Sequence, residues 1–127
     1  MSMVHILYEH PGDWPAEGPL HVEAQFSGEI RVPPDLARHR ANGYLAREVA
    51  LFVIASEPVL ILRDHPCWRL PVVLRLRGLG NVAEVGDIDV DAQTGEVQPL
   101  SEEEIQSLRK RAHDLAARLA LSPEAAS

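Results

Sequence analysis

The chain has 127 residues, 46% of them hydrophobic, and a formal net charge of −7 at pH 7. That suffices for one domain with a real core, is too short for two such domains, and excludes a disordered polymer. The acidic balance disfavours DNA or RNA as main partner, since those need a basic footprint, and the single cysteine, Cys67, excludes an internal disulfide and fits a reducing compartment.

Met1-Ser2-Met3-Val4-His5 does not read as a signal peptide, and no apolar run approaches membrane-spanning length. A cytoplasmic protein with no membrane partner is expected. Val4, Ile6 and Tyr8 alternate with their neighbours and predict a short strand. Residues 10–19 hold three prolines and two glycines and predict a loop. Trp14 lies in it, either as a binding anchor or as a lid over the sheet. Leu20, Val22, Ala24 and Phe26 alternate as a strand, Ser27-Gly28 turns, and Glu29-Ile30-Arg31-Val32 suits a return strand.

Pro33-Pro34-Asp35 opens a helix, where proline's missing donor is not needed. Leu36, Ala37, Ala41, Tyr44, Leu45, Val49 and Phe52 recur at helical spacing and extend it over residues 34–55. Gly43 interrupts the pattern and Asn42 can cap a new segment, so one kinked helix and two short ones both fit. Arg38, His39, Arg40 and Arg47 make this helix locally basic: either a solvated face or a docking surface for an acidic protein partner. Ser56-Glu57-Pro58 stops it, and Val59-Leu60-Ile61-Leu62 is a short strand.

Residues 67–99 predict an antiparallel meander. Trp68, Leu70, Val72, Leu74 and Leu76 share one face; Arg69, Arg75 and Arg77 share the other. Ile88 and Val90 match the apolar face, while Asp87, Asp89 and Asp91 point away. A register opposing Trp68, Leu70 and Val72 to Ala92, Val90 and Ile88 satisfies both strands and sets Arg69 opposite Asp91. Gly78-Leu79-Gly80-Asn81 lacks the Lys-Ser/Thr of a phosphate loop and serves as the hairpin loop. Pro71 must avoid a paired donor position, and Gly95 supplies the left-handed residue of the second turn. The expected core is Trp68, Leu70, Val72, Leu74, Ile88 and Val90.

Ser101 and Glu104 form a capping box at the start of an amphipathic helix over residues 101–120, with Ile105, Leu108, Ala112, Leu115, Ala116 and Leu119 as its apolar stripe. The fold expected is α+β: a single domain over residues 1–121, its antiparallel sheet packed against a central and a C-terminal helix. Residues 122–127 are expected to fray.

The chemistry-bearing residues do not assemble into a catalytic pattern. Asp87, Asp89 and Asp91 share a strand face but lack the glycine and final glutamate of a calcium loop. His65 and Cys67 flank Pro66 with no evident third group to orient a thiol–imidazole pair. The remaining histidines show no ligand spacing. No metal, cofactor or enzymatic activity is expected.

The helix, the Trp68 strand and Val90-Asp91-Ala92-Gln93-Thr94-Gly95-Glu96-Val97 together resemble PepSY-like domains, which pair a helix with a small antiparallel sheet and end in a Val-Asp-x-x-Thr-Gly-Glu-Val hairpin. The chain is also similar to uncharacterised bacterial proteins with an Ala-Asn-x-x-Leu segment, here Ala41 to Leu45, before a Trp-x-x-Pro-Val strand, here Trp68 to Val72. The resemblance covers about residues 34–100, carries no catalytic residue, and implies a module that restrains another protein, as PepSY-like domains are thought to restrain peptidases. The expected function is non-enzymatic binding of a protein partner, in the manner of an inhibitor or antitoxin, through Arg38, Arg40, Arg47 and Trp14. A ligand-binding or enzymatic domain using the concave side of the sheet, and a self-associating module forming a homodimer, are the other readings.

Overall fold

A computed structural model of the chain describes residues 3–6, 17–19, 25, 27–62 and 65–121. Trp14, the strand expected from Leu20 to Phe26 apart from Gln25, and the tail 122–127 lie outside the described residues. Among the described residues the elements are β1 (Met3–Ile6), α1 (Pro34–Glu48), β2 (Val53–Ala55), β3 (Val59–Leu62), β4 (Pro66–Leu76), β5 (Gly80–Asp91) and α2 (Glu102–Leu121).

Strand β4 is the centre of the sheet. Along one edge it pairs antiparallel with β5 over nearly its whole length. Along the other it pairs first with β3, Leu60 opposite Trp68, and then with β2, Ile54 opposite Val73. Strand β1 lies parallel to β3. The fold is thus α+β, an open sheet with four antiparallel strands packed against two helices. Pro71 falls where β4 passes from β3 to β2, so the donor it lacks faces a break in the ladder, and its carbonyl accepts from Ser56 N at 2.8 Å.

Apolar alternation on β4 turns Trp68, Leu70, Val72 and Leu74 onto the helical face, where all are buried with Ile88 and Val90 of β5. Ala37, Ala41 and Leu45 of α1 and Leu108 and Ala112 of α2 close over them. Burying such a face contributes about 25 cal/mol per Å² of apolar surface. Trp68 is only 4% exposed, and its indole Nε1–H donates to the Val32 carbonyl at 2.8 Å.

Four expectations are corrected. The β4–β5 register is shifted by two residues: Trp68 faces Val90, Leu70 faces Ile88, and Arg69 faces Asp89 rather than Asp91. A two-residue slip keeps every side chain on its face, so alternation alone cannot detect it. Bulges at Val85 and Val82 slide the register further toward the hairpin tip and turn Val85 into the core.

Helix α1 ends at Glu48 rather than near residue 55. The stop is supplied from far away: Arg109 of α2 donates to the carbonyls of Glu48 and Val49 at 2.8 and 3.0 Å, a cation on the negative end of the helix dipole. Val53-Ile54-Ala55 then serves as β2, pairing with the half of β4 that β3 leaves open. The third strand of the meander reduces to one bridge, Val97 to Val90. The segment from Glu29 to Val32 is irregular, anchored by Arg31 N and Val32 N on the Ala92 carbonyl at 2.9 Å each.

Helix α2 begins as its capping box requires. Glu104 N donates to Ser101 Oγ and Ser101 N donates to Glu104 Oε1, each at 3.1 Å.

Candidate partner-binding groove

Helix α1 runs unbroken through Gly43. Ala37, Ala41 and Leu45 point to the core, which leaves Arg40, Gly43, Tyr44 and Arg47 on a flank. Arg40 and Arg47 are two turns apart and therefore share a side, at about 100° per residue. They line a groove of about 550 Å³ together with His39, Gly43 and Tyr44. The opposite wall is Gly95, Glu96, Val97 and Pro99, the stretch that follows β5.

That wall is held in place by the turn after β5. Asp91 Oδ1 accepts from Gln93 N and Thr94 N at 2.8 and 2.9 Å. These backbone donors, Thr94 first, hold the Asp91 carboxyl below its ordinary value. Gly95 adopts φ +79°, where a side chain would be strained. Tyr44 Oη accepts from Leu100 N at 2.9 Å and ties the wall to α1. Gly43 leaves room for the neighbouring arginine: a β-carbon there would sit 3.4 Å from an Arg47 guanidinium nitrogen, so the cation lies back across the helix toward the groove.

The groove therefore gathers His39, Arg40 and Arg47 against one acid, Glu96, on a chain whose net charge is −7. Among the described residues, ion pairs involve Arg31, Arg38, His65 and Arg69, and neither Arg40 nor Arg47 makes one. Two guanidinium groups facing the same hollow can fork onto carboxylates.

Arg38 does not belong to this group. Its Nε donates to the Ala55 carbonyl at 3.2 Å and a terminal nitrogen pairs with Glu57 at 3.2 Å, fastening α1 to the end of β2. Helical geometry explains the separation, since positions 38 and 40 are about 200° apart around the axis. Tyr44 and Glu96 were absent from the expected site, whereas His39 was part of the basic helix face. The Arg40–Tyr44 and Gly43–Arg47 four-residue spacings point to a shared flank, but nothing local announces that residues 95–99 form the other wall.

The other chemistry-bearing residues are engaged elsewhere. Arg69 grips Asp89 with two hydrogen bonds, at 2.9 and 3.1 Å. Asp91, besides closing its turn, lies 3.4 Å from His65 Nε2. Burial, reinforced by Asp89, pushes the Cys67 thiol up to about 11, the reverse of an activated nucleophile. Among the described residues no three potential metal ligands cluster, and no helix is long and apolar enough to cross a membrane.

No protein-family model, curated protein or solved structure matches this chain.

Proposed function

We propose that the protein is a small, non-enzymatic binding module whose α1 groove receives an acidic segment of a protein partner. The observation that carries this reading is the convergence of Arg40, Arg47 and His39 in one groove of an acidic chain. Local positive potential in an otherwise negative field steers and orients an acidic ligand more than it adds raw affinity. The resemblance of the Val90-to-Val97 hairpin to PepSY-like domains supports a module that restrains its partner, in the manner of an inhibitor or antitoxin.

The test is binding of a fluorescent Glu/Asp-rich peptide at low salt, followed by anisotropy. Arg40→Glu with Arg47→Glu should abolish the signal while circular dichroism stays unchanged. Equal affinity of the variant and the wild type would remove the groove from the function.

A further inference from the structure

We infer that a second copy of this chain occupies the groove, through the acidic first turn of its α2. The inference rests on the groove reading above and names the occupant available in every solution of the protein.

Three observations carry it. First, Glu102 and Glu103 are exposed at the start of α2, and among the described residues neither makes an ion pair. Their neighbour Glu104 is already bound to Ser101 N. Second, basic groove and acidic turn are neighbours on one surface. Pro99 lines both the groove and an adjoining hollow that reaches Asp87 and Glu104. Glu104 and Leu100 in turn line a third hollow that reaches Glu103. Arg69 in the second hollow is bound to Asp89, and Arg111 in the third donates to the Val85 carbonyl, so Asp87, Glu103 and Glu104 leave that end acidic while the groove is basic, with residues 99–100 between.

Third, such a surface is self-complementary. A two-fold axis near Pro99 reverses the second copy, so each basic end meets an acidic end and the contact is made twice. Like-charge juxtaposition, by contrast, disfavours other arrangements of two chains that each carry a charge of −7. The dimer closes both grooves, so an acidic partner must displace the second copy, and partner binding is coupled to dissociation.

The experiment is sedimentation equilibrium on the whole chain at about 0.1 M salt, where screening over about 10 Å mutes repulsion between net charges. Wild type should dimerise with concentration. Arg40→Glu with Arg47→Glu, and separately Glu102→Arg with Glu103→Arg, should each weaken dimerisation by about tenfold or more. An equimolar mixture of the two variants should restore it, because every contact in the mixed dimer is again between opposite charges. Circular dichroism serves as the folding control. Wild-type-like dimers in either variant, or no rescue in the mixture, would overturn the inference. A monomeric wild type that still binds the acidic peptide through Arg40 and Arg47 would sink the dimer and leave the groove reading standing. A monomer that binds no peptide would sink both.

Discussion

Leu108 of α2 packs so closely on Gly86 of β5 that a β-carbon at Gly86 would fall 2.6 Å from Leu108 Cδ2. Gly86 is a point of close helix–sheet contact, just after the bulge that turns Val85 inward. Gly86→Ala should therefore cost about 1–3 kcal/mol through overpacking. Leu108→Ala alone should also destabilise, because its side chain is buried. The double variant should lose less than the two losses added together, since the smaller residue removes the clash. Urea denaturation of the four proteins decides this; additive losses would mean that the contact does not set the helix–sheet distance.

Trp68 joins the sheet to the approach of α1. Trp68→Ala should cost about 3–5 kcal/mol for the lost aromatic and its cavity. Trp68→Phe should cost less, about 1–3 kcal/mol, chiefly by leaving the Val32 carbonyl without its 2.8 Å donor. Thermal melts report both. A near-wild-type midpoint for the alanine variant would contradict the core described here.

The alternating faces of β4 and β5 were legible because period-two patterning survives any even slip in register. The register itself was not, since bulges at Val82 and Val85 consume residues without disturbing the apolar count. The run from Ala50 to Ala55 is apolar on every side, and periodicity cannot assign such a short run to helix or strand. What assigns it is an open edge on β4 and the cap from Arg109, both distant in sequence. The groove was half legible for the same reason: one wall is a helix flank, and the other arrives some fifty residues later.

Cys67 should behave as an inert thiol. With its value raised to about 11, mainly by burial, it stays protonated at neutral pH. Native protein should react slowly with iodoacetamide at pH 7–8, with the rate climbing toward a midpoint near pH 11. The sign for stability follows: the unfolded thiol ionises near 9.0 and the folded one near 11, so its contribution is complete below about 9 and is lost as pH rises toward 11. Cys67→Ser should flatten that alkaline fall. Rapid alkylation of the folded protein at pH 7 would show an accessible, activated thiolate instead.

The two kinds of arginine on α1 should separate in experiment. Arg38 holds the partly buried Ala55 carbonyl and lies against Glu57, so Arg38→Glu removes a donor and sets two carboxylates together. A hydrogen bond from a charged group contributes about 1.5–3 kcal/mol, and the exposed pair with Glu57 adds little. The variant should lose about 1.5–3 kcal/mol of stability by that reckoning, while its affinity for an acidic peptide stays near wild type. Arg40→Glu and Arg47→Glu should do the opposite. Both residues are exposed and unpaired among the described residues, so stability should change by no more than about 0.5 kcal/mol while peptide affinity falls. Chemical denaturation and peptide anisotropy on the three single variants give the pattern directly. If Arg38→Glu weakens the peptide as much as Arg40→Glu does, the peptide reads the charge of the whole helix and the groove has no special claim.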